Sequence, residues 1–249
     1  MRTVLLTMLF LCLAGNLPAQ SIDDLVIVTE EYPPFNFTEN DRRQGISTDV
    51  LIEMLKLSGA HQGRDDIGFL PWASAYNLAL NRKNVLLYST THTETRAPLF
   101  KWVGPILKSR FVLFARKDAK LKIASLNEIN ERKLRVGVVL NDVGEQMLLE
   151  QGLNRSRLYR YNHGAHMVTM LHNRRIDLLA YGQIATRWFF KDRGYSPDDF
   201  EEVFFLQESD YYYALNRKTD DKIVSQLQAA FDQVKESGTL AEIVQNYLQ

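Results

Sequence analysis

Apolar and polar positions run along this chain in blocks that switch between the period of a strand and the period of a helix. Leu25-Val26-Ile27-Val28-Thr29 is an unbroken β-prone run, the pattern of a strand covered on both faces. Pro33 and Pro34 follow and forbid both helix and central strand there. Between Asp49 and Leu57 the apolar residues are Val50, Leu51, Met54, Leu55 and Leu57, with Gly59 as a stop. That spacing predicts a helix. Residues 67–70 predict a short strand, 73–80 a helix after Pro71, and 85–88 another buried strand. The polar stretch from Ser89 to Arg96 reads as the loop after it. Alternation of strand and helix implies a parallel, doubly wound sheet.

The pattern then restarts. Residues 111–115 predict a strand that runs into a charged linker at 116–120. Ser125 and Glu128 have the spacing of a capping box and open a short helix. Strands follow at 134–140 and 176–181, with helices at 143–151 (stopped by Gly152) and 166–173. Residues 211–215 predict a last strand. Residues 222–234 predict a helix with Ile223, Leu227, Phe231 and Val234 on one stripe, and a final helix follows Gly238. Two α/β units joined by extended segments near 111–117 and 210–217 predict two lobes: 21–113 with 214–249, and 114–213. Lobes joined by two crossings can close on a ligand by hinge bending.

The N-terminus has the order of a secretory signal peptide. Arg2 is followed by an almost unbroken apolar run from Val4 to Ala14, and Ala19 and Gln20 follow a turn at Pro18. A run of about 11 residues falls short of the roughly 20 that span a bilayer as a helix. Cleavage near residue 19 or 20, and a periplasmic protein, are the expectation. Cys12 is the only cysteine and lies in that segment, which leaves no disulfide, thiolate nucleophile or cysteine ligand beyond it. Losing Arg2 takes the basic count from 30 to 29, against 30 acidic residues. So even a balance gives no electrostatic case for nucleic acid.

Open α/β sheets bind ligands beyond the carboxyl ends of their strands, so the loops after the predicted strands are the candidate site. Glu30, Tyr32 and Phe35 follow the first strand and Trp72 the second; Tyr88 ends the third, with Ser89, Thr91 and Arg96 after it. In the second unit Asn141, Asp142 and Val143 follow one strand, and Tyr181 and Gly182 another. Aromatic walls with a few fixed polar groups are the make-up of a small-molecule pocket. A guanidinium such as that of Arg96 can grip a carboxylate with two parallel hydrogen bonds, and the helix after Asp142 would offer free N–H groups to an anion.

These residues also carry a resemblance. Glu30-Glu31-Tyr32-Pro33-Pro34-Phe35, Gly45 with Asp49, Thr93-Glu94-Thr95-Arg96, Phe100 with Gly104-Pro105, Val136-Gly137-Val138, Arg175-Ile176-Asp177 and Gly238-Thr239-Leu240 stand in the chain in that order. The ordered set resembles the bacterial extracellular solute-binding proteins of family 3, the amino-acid-binding components of ABC importers. The resemblance implies a two-lobed α/β fold of the periplasmic-binding-protein type II, each lobe a mostly parallel sheet with helices on both faces, and a two-strand hinge. It also implies that Arg96 holds a ligand carboxylate with help from Ser89 and Thr91, and that Tyr32 and Phe35 form an aromatic wall beside Glu30. The chain departs from the family in its second unit. Asp142 and Val143 stand where a Thr or Ser pair is usual, and Gly182 where an aspartate meets the ligand's ammonium.

The expected partners are therefore a small polar ligand and a membrane permease of an ABC importer or a membrane receptor, with the protein itself a monomer and no cofactor. Since the sequence reaches Gln249 without a kinase, cyclase or membrane-spanning extension, sensing would run through a partner. A dehydratase-like enzyme on the same fold is a weaker alternative, with Glu30 or Glu31 as acid or base, because no matched acid–base pair can be placed together. His163, His166 and His172 invite a metal reading, but the helical pattern puts the last two on different faces, and zinc wants three or four convergent ligands.

Overall fold

The computed structural model describes residues 21–248; the signal peptide expected at 1–20 lies outside them. In chain order the elements are β1 (Val26–Thr29), β2 (Phe37–Glu39), β3 (Arg42–Gln44), α1 (Ile46–Leu57), β4 (Gly68–Phe69), α2 (Trp72–Asn81), β5 (Val85–Thr91) and β6 (Phe100–Arg116). They continue with α3 (Leu126–Glu131), β7 (Val136–Val139), α4 (Val143–Glu150), β8 (Leu158–Tyr161), α5 (Gly164–His172), β9 (Leu178–Gly182), α6 (Gln183–Asp192), β10 (Phe200–Asn216), α7 (Asp221–Glu236) and α8 (Thr239–Leu248).

One eight-stranded ladder, in the order β4-β1-β5-β10-β6-β9-β7-β8, runs through both lobes. Its two ends are parallel, β4-β1-β5 on one side and β9-β7-β8 on the other. Between them β6 and β10 pair antiparallel along their whole length, from Phe200 opposite Arg116 to Asn216 opposite Phe100. The C-terminal part of β10, Tyr211 to Leu215, pairs with β5. The C-terminal part of β6, Phe111 to Phe114, pairs with β9. Each long strand therefore belongs to one parallel sheet at one end and to the other sheet at its opposite end. The expected doubly wound units are present, and the two crossings are these strands.

The core follows the predicted stripes. β5 is buried along all seven residues, as a strand covered on both faces must be. Ile223, Leu227, Phe231 and Val234 of α7 are all buried. Among the described residues no helix is long and apolar enough to cross a membrane.

Several expectations need correction. Ser89, Thr90 and Thr91 continue β5 instead of forming a loop. The capping box does not form, since the Ser125 side chain makes no cap hydrogen bond. The strands expected at 111–115 and 211–215 are the ends of 17-residue strands. A hairpin, β2–β3, turns through Asn40 and Asp41, both at positive φ, a conformation these two side chains tolerate. Strand β8 and helix α6 add to the second lobe where no element was expected.

Candidate functional site

Arg96 sits at the boundary between the lobes and is fully buried, with 0% of its surface exposed. Its guanidinium lies 5.2 Å from the ring centre of Trp72 and 5.0 Å from that of Tyr76, both on α2. A delocalised cation is favourably placed over such rings. Across the boundary Nε donates to Gln146 Oε1 at 3.0 Å and Nη2 to the Asn141 carbonyl at 3.4 Å. The same carbonyl accepts from Trp72 Nε1 at 3.0 Å. Asn141 adopts a φ of 60°, a left-handed conformation that Asn reaches more easily than most residues, and its carbonyl meets the first lobe there. Thr95 donates to Glu150 Oε1 at 2.8 Å beside it. The lobes are thus latched by the chain's own groups.

Two carboxyl groups share this boundary. Glu30, at the end of β1, is 5% exposed, and Asp142, at the N-cap of α4, is 7% exposed. Burial raises the Glu30 pKa well above the ordinary 4.5, and the Asp142 charge across the cleft raises it further while Arg96 opposes both. Asp142 is also raised, by burial first, with Arg96 and the Val143 and Gly144 amides opposing. Burial lowers the Arg96 pKa, and Asp142 is the largest influence holding it up. The three groups act on one another as one electrostatic unit. The helix end expected to receive an anion is instead supplied with the chain's own acids. Asn141 N donates to Glu145 Oε2 at 2.8 Å, and Glu145 is buried and paired with Arg160 at 2.6 Å.

Next to these charges stands a cluster of phenols. The Tyr32 hydroxyl bonds to that of Tyr211 at 2.5 Å, and Tyr211 donates to Ser109 Oγ at 2.8 Å. The Tyr32 ring stacks on Phe35 at 5.3 Å and meets Tyr181 edge-on at 5.0 Å. Gly182 at the end of β9 faces the Tyr32 hydroxyl so closely that a Cβ there would fall well under 3.0 Å from it. The acidic side chain usual at this point in the resembling family has no room: Tyr32 reaches the place where it would stand. Glu30 Oε2, Arg96 Nη1 and the Tyr181 hydroxyl are buried and have no hydrogen-bond partner among the described residues.

Of the twelve residues expected at the site, the structure brings Glu30, Tyr32, Trp72, Arg96, Asp142, Tyr181 and Gly182 to the lobe boundary. Phe35, fully buried, backs Tyr32. Ser89 is committed to its own lobe, bonded to the Asn36 side-chain carbonyl and at 2.8 Å to the Ser47 hydroxyl. Tyr88 points inward, its hydroxyl 3.0 Å from that of Thr48 on α1. Thr91 is buried in the ladder opposite Tyr211. Val143 lines a crevice with Thr93, Thr95 and Gln146. Sequence reasoning missed Tyr76, Gln146, Ser109 and the site role of Tyr211. Only Tyr211 had a signal, lying in a tyrosine run on a predicted crossing strand.

A second crevice, of ≈ 350 Å³, opens at the lobe boundary between Glu31, Pro33 and Phe37 on one side and His163, His166 and Trp188 on the other. His163 and His166 stand 5.9 Å apart, ring centre to ring centre. Among the described residues no group of three or more His, Cys, Asp or Glu side chains could hold a metal ion.

Solved structures with this arrangement of elements are numerous. A histidine kinase sensor domain with similarity to periplasmic binding proteins superposes with a TM-score of 0.78 at 16% identity, covering 90% of this chain and 96% of its own. A mutant of the ArgBP of T. maritima gives 0.78 at 18% identity, covering 92% and 99%. The substrate-binding protein of an ABC uptake transporter from Streptococcus pneumoniae, solved with bound histidine, gives 0.75 at 16% identity, covering 90% and 92%. At such identities the likeness shows the fold, which is that of type II periplasmic binding proteins. No curated protein matches the chain in sequence. The family model for bacterial extracellular solute-binding proteins, family 3, matches residues 25–249, and the chain belongs to that family.

Proposed function

We propose that the protein is an exported, periplasmic solute-binding protein that closes its two lobes over a small polar ligand, an amino acid or a related carboxylate or amine, and delivers it to an ABC-type importer without altering it. The observation that supports this most directly is that three polar atoms without a partner among the described residues, Glu30 Oε2, Arg96 Nη1 and the Tyr181 hydroxyl, lie buried at the boundary between the lobes, close enough for Glu30 to feel Arg96 and Tyr181 to feel Glu30. Buried polar atoms without partners are uncommon and costly. A ligand that completes them adds contacts to both lobes at once and so favours the closed form. The expected division, 21–113 with 214–249 and 114–213, shifts by a few residues in this reading to 21–107 with 211–248 and 111–207, because Phe111 to Phe114 pair with β9 and Tyr211 to Leu215 with β5. The hinge is at 108–110 and 208–210, where Lys108 faces Asp210 and Arg110 faces Glu208.

The likeness to a sensor domain of a histidine kinase favours a second reading, in which the liganded clamp reports to a membrane receptor. A thermal-shift screen of the mature protein against amino acids, amines and small carboxylates, followed by small-angle scattering, tests the clamp itself. A hit should raise the unfolding temperature and shrink the radius of gyration. Confirmed binding with an unchanged radius counts against it. Pull-down with the permease or receptor encoded beside the gene separates delivery from sensing.

A further inference from the structure

We propose that the cleft takes a carboxylate-free cation, a primary ammonium or a guanidinium, received by Glu30 Oε2 and the Tyr181 hydroxyl beside the Tyr32 ring. The inference rests on the solute-binding reading above and narrows its ligand class. It starts from charge. The buried groups at the boundary are two carboxyls, Glu30 and Asp142, and one guanidinium, Arg96. In the ligand-free closed form burial favours the protonated carboxyls; once both ionise, the three groups sum to one negative charge. A buried charge persists only when it is paired, and a bound cation completes the set where a bound anion would add to the excess.

The geometry removes the usual places for a carboxylate. A bidentate grip needs two N–H groups on one edge of the guanidinium. The Nε–Nη2 edge of Arg96 is turned to Gln146 Oε1 and the Asn141 carbonyl, and Nη1 alone is left without a partner among the described residues. The N–H groups of the neighbouring helix end are already supplied by the chain's own acids, those of Val143 and Gly144 by Asp142 and that of Asn141 by Glu145. By contrast two buried acceptors are unmatched among the described residues. Glu30 is 5% exposed, and its Oε2 has no partner among the described residues. Tyr181 presents a buried hydroxyl with none either, and its ring stands edge-on to Tyr32 at 5.0 Å, a setting that favours a cation near aromatic faces. Gly182 leaves the second lobe without an acidic side chain there, and the Tyr32 hydroxyl occupies that space. The Arg96 Nη1 donor is left for a neutral acceptor on the ligand, such as a hydroxyl or carbonyl oxygen.

The test uses matched pairs that differ only in the α-carboxylate and whose carboxylate-free member is a monocation: histamine against histidine, tyramine against tyrosine, and pentylamine against norleucine. Calorimetry on the mature wild-type protein at pH 7.5 should find at least one carboxylate-free member binding roughly tenfold or more tighter than its twin, a margin of about 1.4 kcal/mol or more. Glu30→Gln should weaken that binding by roughly tenfold or more, and Glu31→Gln should not. Tighter binding of the amino-acid member in every pair that binds overturns the inference and leaves the solute-binding reading standing. Binding of neutral amino acids or carboxylates alone overturns it in the same way. If no member of any class binds or shifts the unfolding temperature, both readings fall together.

Discussion

Gly182→Ala adds a single methyl group where the two lobes meet, and its effect on closure follows from the distances. The new Cβ would fall well under 3.0 Å from the Tyr32 hydroxyl oxygen, with Tyr211 Oη at 3.0 Å and Tyr32 Cζ at 3.3 Å. The Tyr32 ring has little freedom to retreat, being 4% exposed, stacked on Phe35 and edge-on to both Tyr181 and Tyr211. Relief comes from breaking the Tyr32–Tyr211 hydrogen bond or from parting the lobes. Overpacking costs about 1–3 kcal/mol and a lost hydrogen bond about 1 kcal/mol, together ~2–4 kcal/mol against the closed form. At ~1.4 kcal/mol per decade this lowers the closed-to-open ratio roughly 30- to 700-fold. Electron–electron resonance between spin labels on Lys83→Cys and Arg155→Cys reads that ratio directly. The only native cysteine, Cys12, lies in the expected leader. The short interlobe distance of the parent should give way to a longer one in Gly182→Ala. Adding Tyr32→Phe removes the clashing oxygen and should restore the short distance. A Gly182→Ala distribution identical to the parent's, or a double mutant as open as the single, refutes the reasoning.

Other predictions use the same labels or simpler measurements. Arg96→Ala removes the contacts to Gln146 and Asn141 and leaves Glu30 and Asp142 without a counter-charge, so closure should lose roughly 2–5 kcal/mol, with Arg96→Lys recovering part; equal distance distributions in parent and alanine mutant count against it. Closure should also depend on pH. Burial raises Glu30 and Asp142 in the closed form, and the Asp142 charge raises Glu30 further, so the closed form holds protons that the open form releases. Its advantage is greatest near or below the ordinary carboxylate range and declines as pH rises through the raised values; Glu30→Gln should flatten the profile measured by scattering between pH 4.5 and 8. Gly164→Ala places a Cβ 2.6 Å from Tyr181 Cε1 and 2.8 Å from Phe189 Cε2, so it should lower stability to thermal unfolding by about 1–3 kcal/mol. Protein recovered from the periplasm should begin near Gln20 or Ser21 on N-terminal sequencing; recovery of an intact Met1 chain from cytosol alone counts against export.

The alternation of buried strands and striped helices was legible because each such element faces one environment along its length. The long strands were not. β6 passes from one lobe to the other, and its middle carries Lys108 and Arg110 where the ladder nears solvent, so the apolar run breaks. Pro105 lies at a shift of register, where β6 residues 104–106 stand opposite Tyr212 alone. Such an irregularity tolerates a residue with no N–H to give. Helix α6 was hidden by Trp188, Phe189 and Phe190, a cluster that suits a strand as well as a helix. In the site, Arg96 and Glu30 stood out as charges after buried strands. Gln146 did not, since its role depends on two lobes meeting, and no local spacing records that.

The return of the chain has a consequence for the order in which the molecule can be built. Helices α7 and α8 pack on α1. Near the far end Tyr247 donates to Asp49 Oδ2 at 2.8 Å and accepts from Gly45 N at 3.0 Å. The sheet and helices assembled from residues 26–91 therefore wait for partners synthesised last, whereas the intervening segment from Phe111 to Leu206 has its neighbours close at hand. A chain threaded through a membrane from its N-terminus would keep residues 26–91 incomplete until α7 and α8 emerge. Delayed completion of this kind makes the last two turns of α8, where Tyr247 reaches Asp49 and Gly45, a poor place for truncation or a bulky tag.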